Sequence, residues 1–380
     1  IPSFSQTLNL IPFRQGEKWG YCDKNKNIII EPIYEHAEPF KDGIAAVWMQ
    51  DAYGYLKENG KLINDTLYEN MIDFIDTISA VSIKNKWGFI NSDGKFLIEP
   101  KFNKVTLFSE GRARIIENNK WGVIDIQGNV ILNPTYDQID GYHDGMAAFK
   151  QNDKWGFINK NGDIIVAAVF DRVERFRQQR AAVCKDNSWG FINTNGDVVV
   201  PLIYDGIDIG YYNGLACVRK DYKSGYLDLD GNVVIPIKYG IASLFREEMA
   251  YVVENAKTKG KLIDKSGKII FISDYSYVSL FYEGRARTEK RFGTLTKIGF
   301  IDKKGKPITK FIYERVENFE NGFARVMFNS KWGYINLNGK EVIKPKYDEA
   351  ENFENGLALV KFKDKDEFYI DEYGTEYYKD

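Results

Sequence analysis

The tract Gly145-Met146-Ala147-Ala148-Phe149, five residues, Trp155-Gly156-Phe157-Ile158-Asn159, then Asn161-Gly162 decides the fold, because the chain repeats it from end to end. Trp-Gly pairs stand at Trp19, Trp87, Trp121, Trp155, Trp189 and Trp332, and Tyr53-Gly54 fills the gap after the first, so neighbours from 19 to 189 are 34 residues apart. Degenerate copies at Ser224, Gly260, Ile298 and Glu367 carry the register to the C-terminus, which makes eleven copies. A fixed period of this length is the mark of a repeat architecture, and it removes the need to divide 380 residues into unlike domains.

Each position in the repeat has a physical meaning. The Gly-x-Ala-x-Val segment has Ala at its third place in nine of ten internal copies, with Ser79 the exception. Positions three and five of a strand share a face, so that face packs closely against a neighbour. In Trp-Gly-Phe-Ile-Asn, Trp and Phe point one way and Gly and Ile the other, which predicts a strand covered on both sides. Asp or Asn four residues after the Trp, with Gly three later (Asp125, Gly128; Asp302, Gly305), suits a type I turn followed by a left-handed Gly. A third apolar segment follows and often meets Pro (Pro32, Pro100, Pro134, Pro201, Pro236, Pro345), which predicts its end there. A connector with two aromatic sites completes the unit (Tyr136 and Tyr142; Tyr347 and Phe353).

These residues, with Lys before the Trp at Lys18, Lys86, Lys120, Lys154 and Lys331, resemble the WG repeat family, also described as KWG repeats, of multi-copy bacterial proteins. The resemblance implies a β-rich accessory or binding module and carries no catalytic residues with it. The expected fold is all-β: about eleven three-stranded antiparallel meanders in one continuous array over 1–380, with regular repeats to 204, degenerate ones with longer hairpins at 205–310, and regular repeats with a C-terminal cap from 311. A lone meander cannot bury both apolar faces, so neighbours must stack. An open superhelical, solenoid-like stack is the expectation, with closed propeller-like rings as the alternative, since eleven three-stranded units fit a propeller of four to eight four-stranded blades poorly.

Of 56 aromatic residues, 36 fall at four repeat positions, so Trp19, Trp87, Trp121, Trp155, Trp189 and Trp332 read as repeat core rather than a ligand-stacking row. Binding is expected at the places that the repeat leaves free. Positions two and four of the Gly-x-Ala-x-Val strand carry Arg112, Arg114, Arg285, Arg287 and Arg325, and the row extends to Trp48. Arg and aromatics are over-represented at interface hot spots. On this reading Arg114→Ala leaves melting almost unchanged. The irregular middle adds Tyr211 and Tyr212.

Other classes find little support. The 52 Lys and Arg against 54 Asp and Glu give a net charge of −2, so no global field draws in nucleic acid. No apolar run is long enough to span a membrane. Three cysteines without a CxxC pair, and two histidines (His36, His143) in distant connectors, suggest neither metal nor cofactor, and no nucleophile elbow or HExxH points to an enzyme. The expected function is a non-enzymatic scaffold that binds a protein partner, with carbohydrate or cell-envelope binding through off-core aromatics as the alternative. The start at Ile1-Pro2-Ser3-Phe4 without Met suits processing or trimming and tilts the expectation toward an extracytoplasmic bacterial protein.

Overall fold

The computed structural model describes residues 10–75 and 77–379, so the Ile1 to Phe4 start lies outside the described residues. All regular structure among them is β-strand. The chain forms two compact bodies: one combines the chain through Leu62 with Lys259–Ile263 and Ile269 onward, and the other comprises Ile63–Thr258 and Asp264–Lys268.

In the second body, five four-stranded antiparallel sheets follow one another among the described residues. One of them shows the pattern: Gln138–Ile139, Met146–Gln151, Lys154–Asn159 and Ile164–Phe170, in that spatial order. Successive small four-stranded meanders are the blades of a β-propeller. The expected three-stranded unit is therefore corrected: the connector contributes a fourth strand two residues long, here pairing Gln138 with Lys150 and Ile139 with Phe149.

The expected open, solenoid-like stack is overturned in the first body, where both chain ends enter one seven-stranded sheet. Strand Ile11–Gln15 lies beside Lys18–Cys22 on one side and pairs in parallel with Glu376–Lys379 on the other, Arg14 opposite Tyr378 and Gln15 opposite Lys379. The fold is a β-propeller of small sheets, and the propeller-like alternative is the one that holds. The same body contains the three-stranded sheet His36–Ala37, Ile44–Met49, Ala52–Lys57, a long hairpin Arg285–Phe292 with Leu295–Asp302, and a four-stranded blade ending in Glu341–Tyr347.

Proline does not end the last strand of the unit. Val130–Tyr136 runs past Pro134 by bulging: Val123 faces Leu132 and Trp121 faces Tyr136, so one intervening residue, Gly122, meets three. The bulge lies over the glycine, and a Cβ there would stand 2.6 Å from the Leu132 carbonyl oxygen. The Trp-Gly glycine thus makes room for backbone, not for a neighbouring ring. Pro and bulge together also blunt an edge strand that would otherwise offer open hydrogen-bonding groups.

The turn that leads into this strand forms as the sequence suggests. Gly128, at φ 81°, donates to the Asp125 carbonyl at 3.0 Å. The Asp125 carboxylate accepts the N–H groups of Gln127 and Asn129 at 3.0 and 2.8 Å.

The aromatic core centres on the residue two after the Trp. Phe89 meets Phe108, Phe157 meets Phe176, Tyr226 meets Phe245 and Tyr334 meets Phe353, with ring centres 4.7 to 4.9 Å apart. A tyrosine here adds a hydroxyl bond to the connector, as Tyr226 does to the Ser243 carbonyl at 2.6 Å. Trp19 and Trp189 are buried, while Trp87, Trp121, Trp155 and Trp332 are half-buried beside this row.

The lysine before Trp also acquires a structural partner. Lys120 Nζ lies 2.6 Å from Asp137, whose other oxygen accepts the Asn152 N–H at 3.0 Å, and Lys331 with Asp348 repeats the arrangement. Lys120 and the Asn152 N–H hold the Asp137 carboxyl below the usual carboxylate range. A depressed folded pKa contributes stability that is complete above the unfolded value of about 3.9 and fades as pH falls through the lower folded value. Asp137→Asn should therefore lower the melting temperature at pH 7, with the gap from the parent shrinking as the pH falls below about 4. Thermal melts across that range check it, and a gap that persists undiminished at pH 2 contradicts the clamp.

Candidate functional site

The arginine row is built into the blades. Arg112 Nε donates to the Lys160 carbonyl at 2.8 Å, and Arg285 Nε to that of Leu337 at 2.9 Å. Arg180, at the same repeat position, does so to Leu229 at 3.1 Å. Each ties its own strand to a hairpin roughly fifty residues on. Arg114 lies 5.4 Å over the Trp121 ring and donates to the Ile139 carbonyl at 3.1 Å. Arg325 stacks on Trp332 at 5.5 Å and donates to the Ala350 carbonyl. With these contacts, Arg114→Ala is expected to lower the melting temperature rather than leave it almost unchanged. Tyr211 leaves the surface as well: it is 1% exposed, packs on Phe191 and donates its hydroxyl to the Asp228 carbonyl at 2.6 Å. Arg287 is half-buried on the long hairpin of the first body.

Two of the expected residues keep accessible surface. Trp48, in the first body, is 40% exposed and stacks on Tyr53 with the ring planes 14° apart. Tyr212, in the second body, is half-buried next to a feature that the repeat reading passed over, the segment Arg172-Val173-Glu174-Arg175-Phe176-Arg177-Gln178-Gln179-Arg180. Four arginines in nine residues, and Gln179 where seven of the ten internal copies have Gly, are the signals that could have marked it.

Tight turns place this segment. Arg177 and Arg180 exchange backbone hydrogen bonds across Gln178 and Gln179, both left-handed at φ 53° and 61°. Neighbouring turns are stitched in series: the Glu110 carboxylate accepts the Gly145 N–H, that of Asp144 accepts the Gln179 N–H, and the Gln178 side chain accepts the Gly214 N–H, at 2.7 to 2.9 Å. Successive connectors are thereby held in register.

That register sets cations side by side. Arg175 NH1 lies 3.2 Å from His143 Nε2, and burial, then Arg175, pushes the His143 pKa down, so the neutral ring accepts the bond at neutral pH. Burial and the nearby Arg175 also disfavour the charge on Arg177, with Glu174 and Tyr212 acting the other way. The Arg177 Nε is enclosed and has no hydrogen-bond acceptor. Burial pushes the Glu174 carboxyl up, while Arg177 and Arg175 pull it the other way.

Among the described residues no group of three or more His, Cys, Asp or Glu is placed to hold a metal ion. Cys22, Cys184 and Cys217 are buried free thiols, and burial pushes Cys22 and Cys217 up to about 12. Among the described residues no helix is long and apolar enough to cross a membrane.

Comparison with known proteins agrees with the repeat. A family model described as WG containing repeat matches residues 19–47, 87–121, 121–155, 155–189, 189–223, 225–257, 262–291, 298–332 and 332–365. No curated protein sequence matches the chain. Among solved structures it is similar to a eukaryotic initiation factor (12% identity, 79% of this chain and 94% of that one, TM-score 0.41). It is also similar to BamB from Moraxella catarrhalis (11% identity, 81% and 95%, TM-score 0.36). A third is PorZ of Porphyromonas gingivalis, a bacterial surface component of the type-IX secretion system (8% identity, 97% and 60%, TM-score 0.26).

Proposed function

The chain belongs to the family of WG-containing repeats, and from that premise we propose that it is a non-catalytic scaffold that binds another protein through the connectors of its second body. The observation that carries the reading is the crowded pair Arg175 and Arg177, one exposed and one with an unpartnered Nε, beside the half-buried ring of Tyr212. Holding like charges together costs energy, which a carboxylate-rich partner segment would recover as charge-assisted hydrogen bonds. Arg and Tyr are also the residues that dominate binding energy at protein interfaces. A second reading rests on the first body, where the stacked Trp48 and Tyr53 offer an aromatic platform to a sugar ring. An extracytoplasmic bacterial setting suits both.

The test is a capture from native extract with the parent chain and with the Arg175→Glu/Arg177→Glu variant, followed by affinity measurement on the main captured protein. The variant should bind at least about tenfold more weakly, the loss of roughly one hot-spot contact, while its melting temperature stays close to the parent's. Equal affinities for the two chains defeat the reading. Binding on a glycan array that Trp48→Ala abolishes would replace it with the second.

A further inference from the structure

A different place, in the first body, points to a small-molecule site. A cleft of about 610 Å³ is lined by Arg14, Gly16, Lys361, Lys363, Asp364, Lys365 and Asp366. Arg14 sits on the strand that joins the two chain ends, and its side chain is only 6% exposed. NH1 donates to the Gly16 carbonyl at 2.7 Å and to Asp366 Oδ2 at 3.0 Å, whereas the enclosed Nε has no acceptor.

Arginine does not deprotonate in proteins, so a buried guanidinium needs an anion next to it. Asp366 serves with one oxygen, but its own side chain is 72% exposed and leaves one edge of the guanidinium fork unused. Around the same cleft stand Lys361, Lys363 and Lys365, with Asp364 and Asp366 between them in sequence. Lys365 is held 4.7 Å above the Tyr378 ring and 3.1 Å from its hydroxyl.

We propose that this cleft binds a small soluble molecule through a phosphate group. The phosphate displaces Asp366 and accepts from the Arg14 guanidinium, a pairing that guanidinium and phosphate share, while Lys361, Lys363 and Lys365 bring further positive charge to the rim. Arg14 fixes the ligand from below and the lysines close over it from the rim. The site is independent of the partner surface in the other body, so each survives the failure of the other.

Titration calorimetry at constant ionic strength tests it, with pyrophosphate and inorganic phosphate as probes and acetate as the control. The expected result is saturable one-to-one binding of pyrophosphate, no saturation by acetate, and a loss of about tenfold or more in affinity in Lys361→Gln/Lys363→Gln. Asp366→Asn should bind severalfold more tightly, because the ligand no longer competes with a carboxylate for Arg14. Should Arg14→Gln fail to fold, the lysine variant decides. Absence of saturable pyrophosphate binding, or an affinity that the lysine variant leaves unchanged, overturns the proposal.

Discussion

Gly156→Ala should destabilise the protein by about 3 kcal/mol, the upper part of the range for overpacking, because what it strikes is backbone. Gly156 stands between Trp155 and Phe157, which pair with Phe170 and Val166, so the single glycine faces the three residues Ala167, Ala168 and Val169 of the bulged partner. A Cβ on Gly156 would lie 2.4 Å from the Val166 carbonyl oxygen, 2.7 Å from the Ala167 carbonyl carbon and 2.8 Å from the Ala168 nitrogen. None of these atoms can swing aside as a side-chain end can. Gly20, Gly88, Gly190 and Gly333 meet the same obstacle at 2.3 to 2.5 Å, which explains why glycine accompanies the tryptophan. Gly141→Ala is the control, since nothing comes nearer to its Cβ than His143 Nε2 at 3.9 Å. Denaturant unfolding of both variants checks the prediction, and equal midpoints would remove the bulge as the reason for the motif.

Most of the blade was legible in the residues. Alternation of apolar positions marked the strands Met146–Gln151 and Lys154–Asn159, and Asp125 with Gly128 marked the hairpin, because those signals are local. The fourth strand escaped notice since Gln138–Ile139 is too short to show any period. Pro134 misled because a bulge lets a strand continue past a residue that cannot donate. Ring closure left no trace at all, as Arg14 and Tyr378 are paired from opposite ends of the chain.

The site was read less well, for a related reason. Alternation correctly placed Arg112 and Arg114 on the strand face opposite the small alanines, but that face is covered by later repeats, and periodicity within one strand carries no information about them. The cluster around Arg175 stayed hidden because the connectors looked like linkers. Only the turn-to-turn bonds from Asp144 to Gln179 and from Gln178 to Gly214 show that they form an ordered row.

Closure carries the second large prediction. Tyr377, on the last described strand, is 1% exposed and shares one core with Ile11, Phe13, Trp19 and Tyr369, and its hydroxyl donates to Asp371 at 2.9 Å. Tyr377→Ala should cost about 3 to 5 kcal/mol, as for a fully buried large aromatic. At the loose end of an open array the same change would be nearly neutral, because terminal strands fray.

The most direct test of closure is a cysteine pair. Gln15 and Lys379 are register partners on adjacent strands, and neighbouring strands lie about 4.8 Å apart, within the span of a disulfide. In Gln15→Cys/Lys379→Cys, mild oxidation of the folded monomer should join the two ends, seen as a non-reducing mobility shift and a raised melting temperature. If both introduced thiols instead remain open to alkylation in the folded protein after oxidation, the chain ends do not meet and the closed propeller is contradicted.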